Sequence, residues 1–111
     1  MTDASRQQTL ARLAATIAAR KNADPKTSYT AGLLADPALA ARKFGEEAVE
    51  TLVAAFADDK TALTAEAADV IYHLLALLAA KGVTLDEVLA ELARREGSSG
   101  LEEKASRGPK P

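Results

Sequence analysis

The sequence predicts an all-α fold: a small antiparallel bundle of about four helices, completed by pairing of two copies into a homodimer. Three observations carry that expectation. Apolar residues recur at helical spacing in two long stretches, through Phe44, Ala48, Leu52 and Ala55, and through Leu63, Ala67, Val70, Ile71, Leu74, Leu75 and Leu78. Hydrophobic residues make up 48% of the chain but only 4% is aromatic, and much of the remainder is alanine, a strong helix former. Helix start and stop signals also punctuate the chain: Asp36-Pro37, Gly82, Thr84 with Glu87, and Gly97. Each alanine buries little area, so 111 residues make a thin core for one copy, and oligomerisation is expected.

The elements follow in order. Residues 1–6 are polar and read as a frayed start, with Asp3 or Ser5 available as a cap. Leu10, Leu13, Ala14 and Ile17 give a first helix that ends near Arg20 or Lys21. Asp24 precedes Pro25, which disfavours helix there. Lys-Thr-Ser-Tyr-Thr at 26–30 is either a plain turn with a short cap or a lip that hydrogen-bonds a ligand. A short helical turn follows over 30–35.

Asp36 as N-cap and Pro37 at the first helical position open a second helix to about residue 58. Gly45 interrupts it, at about 1 kcal/mol relative to Ala, as a point of close approach or an incidental weak point. A third helix covers about 62–81 and stops at Gly82. Its wide apolar arc marks it as central. Thr84 and Glu87 form a capping box for a fourth helix over about 85–96. Residues 1–97 read as one folded domain and residues 98–111 as a mobile polar tail.

Composition excludes several roles. A net charge of −2 gives no case for nucleic acid or acidic membranes. There is no Cys, hence no disulfide framework or thiolate metal site. No stretch reads as long and apolar enough to span a bilayer, and no basic-then-apolar signal opens the chain. A soluble cytoplasmic protein is the expectation, with no nucleic acid or membrane partner.

The chemistry lies in two acidic motifs. Glu46, Glu47 and Glu50 sit in Lys-Phe-Gly-Glu-Glu-Ala-Val-Glu; Glu66 and Asp69 sit in Glu-Ala-Ala-Asp-Val-Ile-Tyr-His. Each helix thus carries a carboxylate pair at i, i+3, which projects from one face. A short polar link at 58–61 makes the two helices antiparallel neighbours, so four carboxylates face one another. Carboxylates so placed repel, and a hard divalent cation with oxygen ligands, Mg²⁺ or Mn²⁺, relieves that repulsion. The bland alternative is a solvated acidic face; against it, Glu66 and Asp69 have no Lys or Arg at i±3 or i±4. His73 is the only His and lies one turn from Asp69, as either a satisfied structural residue or an orienting, substrate-contacting group. Tyr72 reads as a packing residue with its hydroxyl at a polar edge.

Glu-Glu-x-x-Glu followed by Glu-x-x-Asp resembles the all-α nucleoside triphosphate pyrophosphohydrolases, the MazG-like superfamily. Within it the chain is similar to the phosphoribosyl-ATP pyrophosphatases of histidine biosynthesis. Ser28-Tyr29-Thr30, Lys43 ahead of the glutamates, Tyr72-His73 after Asp69, and Glu91-Leu92-Ala93-Arg94-Arg95 carry this closer likeness. Phe44, where a smaller aliphatic residue is expected, is the one departure. The resemblance implies hydrolysis of 1-(5-phosphoribosyl)-ATP to 1-(5-phosphoribosyl)-AMP and pyrophosphate, the second step of histidine synthesis, by a monofunctional enzyme. It implies Mg²⁺ held by Glu47, Glu50, Glu66 and Asp69, with Glu46 as neighbouring orienting group or general base and Glu47 beside it in the catalytic set. Lys43 is then a phosphate contact. Arg94, Arg95, Lys104 and Arg107 are further phosphate candidates, Ser28, Tyr29 and Thr30 are candidates for the substrate's ribosyl or phosphate groups, and His73 is a further substrate-contacting candidate. Two alternatives stay open: a sister enzyme acting on ordinary or damaged nucleoside triphosphates, and a non-catalytic helical interaction module.

Overall fold

The computed structural model describes residues 3–108. They form α1 (Asp3–Gln7), α2 (Thr9–Ala19), α3 (Tyr29–Ala35), α4 (Pro37–Phe56), α5 (Lys60–Ala80), α6 (Leu85–Arg94) and α7 (Gly100–Ser106), with no strand among them. Residues 1, 2 and 109–111, the ends of the expected frayed start and tail, lie outside the described residues.

Local chemistry sets each boundary. Asp24 closes the loop after α2: its Oδ1 accepts from Lys26 N at 2.9 Å, and its carbonyl accepts from the backbone of Thr27 and Ser28. Ser28 caps α3 by accepting from Ala31 N. Asp36 ends α3 and caps α4 through Leu39 N, with Pro37 at the first turn. Asp58, at φ 56°, makes the reversal, and Asp59 caps α5 through Ala62 N. This two-residue corner folds α5 back along α4. Gly82 leaves α5 at φ 77°, and the Thr84–Glu87 capping box starts α6.

α5 is the central element, packed by α4 along its length and by α3 and α2. Leu33, Ala40 and Ala76 meet where α3, α4 and α5 converge, with Leu39, Tyr72, Leu77 and Ala80 around them. The small residues at 40 and 76 bring the helix backbones close, so Leu33 is wholly enclosed. Ile17 of α2 is the other large fully buried side chain. The buried apolar residues are few, and Ala31, Ala40, Ala54 and Ala76 are four of the seven. Meanwhile Val49, Leu52, Val53 and Phe56 lie exposed along one stripe of α4, Phe56 at 90%. α2 and α6 flank a cleft of about 670 Å³ over the C-terminal end of α5.

Three expectations need correction. The segment read as a tail without regular structure holds α7. Ser99 accepts from Glu102 N at 3.0 Å, Glu102 reaches back to Ser99 N, and Glu103 is buried against α6. This cap and anchor outweigh the polar composition. The start holds α1, and Gln8, which makes no side-chain cap, separates it from α2. Finally, α5 is long and apolar enough to cross a membrane by length and composition, contrary to the sequence reading. It carries Glu66, Asp69 and His73 within that span.

Gly45 turns out to be an open position: α4 runs through it without a break, and a Cβ there would meet nothing within 4 Å.

Candidate active site

The acidic motifs converge where the first half of α5 lies against the middle of α4. Glu47, Glu66 and Asp69 each offer a carboxylate oxygen, and these oxygens lie within 4.8 Å of one another. Glu47 and Glu66 are half-buried and Asp69 is exposed, so the cluster sits at a mouth rather than in a sealed core. Glu47 Oε2 and Glu66 Oε2 are buried with no hydrogen-bond partner. Such orphaned oxygens are costly and rare in a folded protein. Burial pushes both carboxyls up from their usual range. For Glu47 the charges of Glu50 and Asp69 add to this, and His73 opposes it. For Glu66 the charge of Glu50 comes next, then its hydrogen bond, then Glu47 and Asp69. Glu50 therefore stands against both.

This donor set fits a metal. It is all carboxylate oxygen, it carries surplus negative charge, and two of its oxygens lack donors. Those features suit a hard divalent cation. Residues Glu47, Glu66 and Asp69, with Glu50 beside them, are the ones that could hold it.

A residue absent from the sequence reading sets the register. The Thr51 hydroxyl donates to Glu47 O at 2.8 Å and lies 3.3 Å from Glu66 O. One side chain thus ties the backbone under an acid of α4 to the backbone under an acid of α5. A threonine at i+4 from Glu47 was the available signal, because such a hydroxyl commonly bonds back to the i−4 carbonyl. Its reach across to α5 had none.

Lys43 lies 3.6 Å from Glu46, one turn along α4, and both are substantially exposed. This pair flanks the cluster without entering it. On the other side, α3 brings Tyr29 and Thr30 to α5. Tyr29 Oη lies 2.8 Å from His73 Nε2, and the Thr30 hydroxyl bonds the Tyr72 hydroxyl. His73 Nδ1 lies 2.8 Å from Asp69 O. Tyr29 stacks on Tyr72 with ring centres 6.3 Å apart. The phenol of Tyr29 is pushed up by burial, then by Tyr72, then by the charges of Glu47, Glu46 and Asp69, which sets it at the mouth of the acid cluster. Ser28 spends its hydroxyl on the α3 cap.

The arginines gather elsewhere, between α6 and α7. Arg94 bonds Glu91 at 2.8 Å and Glu103 at 2.6 Å; Arg95 bonds Glu91 at 2.9 Å; Arg95 and Arg107 lie 3.8 Å and 3.7 Å from Glu103. Hydrogen bonds from Arg94 and Arg95 hold the Glu91 carboxyl down to about 2, and those carboxylates push Arg94 up. Lys104 is exposed on α7.

The family model for phosphoribosyl-ATP pyrophosphohydrolase matches residues 10–96, which include every acid of the cluster and the Tyr29–His73 pair. The chain belongs to the phosphoribosyl-ATP pyrophosphohydrolase family. Relatives named phosphoribosyl-ATP pyrophosphatase agree with that membership. The one from Caulobacter vibrioides is 65% identical over 98 residues, 88% of this chain and 92% of the relative. The one from Dinoroseobacter shibae is 66% identical over 99 residues, 88% of this chain and 97% of the relative. The one from Paracoccus denitrificans is 63% identical over 99 residues, 88% of this chain and 92% of the relative. The matched span closes at residue 96, within the α6–α7 linker, so α7 lies beyond it.

Proposed function

We propose that the chain hydrolyses 1-(5-phosphoribosyl)-ATP to 1-(5-phosphoribosyl)-AMP and pyrophosphate in histidine biosynthesis. It is an enzyme, a hydrolase of a phosphoric anhydride bond; relatives of that name match about nine-tenths of its length. The observation that carries the chemistry is the carboxylate cluster with its two unpartnered buried oxygens.

In this reading Glu47, Glu50, Glu66 and Asp69 would hold Mg²⁺, and Mn²⁺ would also suit the oxygen donors. Such a cation would supply neutralisation of triphosphate charge and acidification of nearby water. Glu46, next to these ligands but about 100° around the helix, takes the proton from the attacking water. Water adds across the α–β anhydride, and the pyrophosphate oxygen leaves as the bond breaks. Lys43, which can exchange Glu46 for a phosphate oxygen, meets the substrate's charge. Ser28, Tyr29 and Thr30 meet the substrate's ribosyl or phosphate groups, and His73 lies against Tyr29. Arg94, Arg95 and Arg107 reach a phosphate only by releasing Glu91 and Glu103, and Lys104 is the remaining basic candidate on α7.

The working unit in this reading is a cytoplasmic homodimer. The alanine-rich core and the apolar stripe on α4 support it, because large exposed apolar patches are seldom tolerated by soluble monomers. The stripe favours α4 as the interface, with Ile71 of α5 as a further exposed apolar side chain. A second copy would extend the helix pair into a four-helix bundle about a two-fold axis. α5 is then a core helix rather than a membrane span. Residues 1–97 form the catalytic domain, with 98–111 as an appended segment.

The deciding experiment is pyrophosphate release from phosphoribosyl-ATP beside the common nucleoside triphosphates, with and without Mg²⁺. Preference for phosphoribosyl-ATP is expected. Equal turnover of ordinary triphosphates would favour the sister enzyme, and no cation-dependent release from any of them would leave an interaction module.

A further inference from the structure

The seam between α3 and α5 fixes the direction of a hydrogen bond at the mouth of the site. A backbone carbonyl can only accept. His73 Nδ1, at 2.8 Å from Asp69 O, must therefore carry a hydrogen and donate it. In the neutral ring Nε2 is then the acceptor, and the only hydrogen left for the 2.8 Å contact with Tyr29 Oη is the phenol's own. His73 is buried and its ring is gripped edge-on by Tyr72, with centres 5.0 Å apart at 89°. It cannot swing away to release Tyr29.

Tyr29 is otherwise 55% exposed. A phenol has one hydrogen and two acceptor positions. With that hydrogen committed inward, the oxygen offers only lone pairs to a ligand. We infer that Tyr29 accepts a hydrogen bond from a donor on the nucleotide, a sugar hydroxyl or the adenine amino group, and makes no bond to phosphate. His73 is the positioning residue that imposes this polarity. Phosphate oxygens at neutral pH are acceptors, so the same lone pairs repel them. The loop thus sorts the substrate: phosphates to the cation and Lys43, the nucleoside to Tyr29. This rests on phosphoribosyl-ATP being the substrate.

The test has three arms. Imidazole ¹⁵N shifts in the wild-type protein should show a hydrogen on Nδ1 and none on Nε2; a hydrogen on Nε2 overturns the inference, whatever the protein's activity. Tyr29→Phe should raise KM for phosphoribosyl-ATP by about five- to tenfold, the loss of roughly one hydrogen bond, with a smaller change in kcat. Inhibition by pyrophosphate, which offers no donor group, should stay as in wild type. Parallel weakening of pyrophosphate inhibition would mean that Tyr29 touches phosphate, and the inference fails. His73→Gln keeps an acceptor facing Tyr29 and should hold KM near wild type, whereas His73→Leu should match Tyr29→Phe. Helix content checks that His73→Leu is folded, and Tyr29→Phe, on an exposed side chain, gives the same readout without that risk. Deoxy analogues of the substrate then separate the sources. If the Tyr29→Phe penalty vanishes on one of them, the donor is a sugar hydroxyl; if it vanishes only on an analogue lacking the adenine amino group, the donor is the base. A penalty that persists on all of them sinks the idea. If wild type fails to turn over phosphoribosyl-ATP at all, the substrate assignment has failed, and the ¹⁵N result still stands or falls by itself.

Discussion

Replacing Phe56 tests the assembly directly. The side chain is 90% exposed on one copy and ends the stripe begun by Val49, Leu52 and Val53. Burying a Phe side chain is worth about 1.5–3 kcal/mol. A two-fold interface uses each residue twice, so Phe56→Ala should weaken the dimer by roughly 3–6 kcal/mol. At 1.4 kcal/mol per power of ten this is roughly a hundredfold to ten-thousandfold in the dimer Kd. Sedimentation across a wide concentration series reads that constant. Leu101 on α7, 83% exposed but off the stripe, supplies the control: Leu101→Ala should leave the Kd unchanged. Wild-type affinity in Phe56→Ala, with helix content intact, would show that the α4 stripe is not the interface. A monomer at every concentration would refute pairing altogether.

Other consequences are equally concrete. Glu66→Gln and Asp69→Asn should each cut cation-dependent turnover by roughly a hundredfold or more; each should also raise the melting temperature of the cation-free protein, since each removes a negative charge that has no countercharge, and unchanged cation binding by calorimetry would contradict both expectations. Gly45→Ala should stabilise α4 by about 1 kcal/mol, because a Cβ there meets nothing within 4 Å; a loss of stability in thermal melts would mean that a second copy approaches α4 at this point. The Glu91 carboxyl is lowered to about 2 on folding, so its contribution is present above the ordinary value of 4.5 and is lost as pH falls through about 2. Glu91→Gln should accordingly loosen α6 and α7 at neutral pH, and its difference from wild type in amide exchange should shrink as pH drops below 4.5.

The elements with strong local chemistry were legible in the sequence. Asp36-Pro37 and the Thr84–Glu87 box are caps whose geometry follows from the residues themselves, and α4 and α6 begin where those signals stand. α7 was missed although Ser99 and Glu102 repeat the same capping box, because polar composition was given more weight than the cap. The open apolar face was assigned to α5, whose apolar arc is the widest. What the arc could not say is how many neighbours cover it. With α2, α3 and α4 packed on α5, Ile71 is the exposed large apolar side chain of α5, and the exposed apolar stripe runs along α4 through Val49, Leu52, Val53 and Phe56. The same gap explains why α5 escaped notice as a helix of membrane-crossing length: periodicity drew attention to its acids rather than its mean hydropathy.

The acids themselves were legible because i, i+3 spacing on a helix places both side chains on one face, and the Asp58–Asp59 corner brings the two faces together. Their coupling to Tyr29 was not, since that residue lies 44 positions from His73 and no local pattern spans that distance. Nor does local pattern explain why folding tolerates Glu47 Oε2 and Glu66 Oε2 without donors. The caps of α4 and α6, the small-residue core and the paired arginines of α6 all follow ordinary rules of local chemistry and packing, whereas these two oxygens do not. This breach of the hydrogen-bonding rule at two buried oxygens, on the α4–α5 pair and beside a phenol whose proton is turned inward, marks the place where stability gives way to chemistry. The breach is also selective. Arginines near Glu103 show that this chain can neutralise a buried carboxylate when only packing is at stake. Leaving Glu47 and Glu66 without such a partner is what the proposed cation site requires.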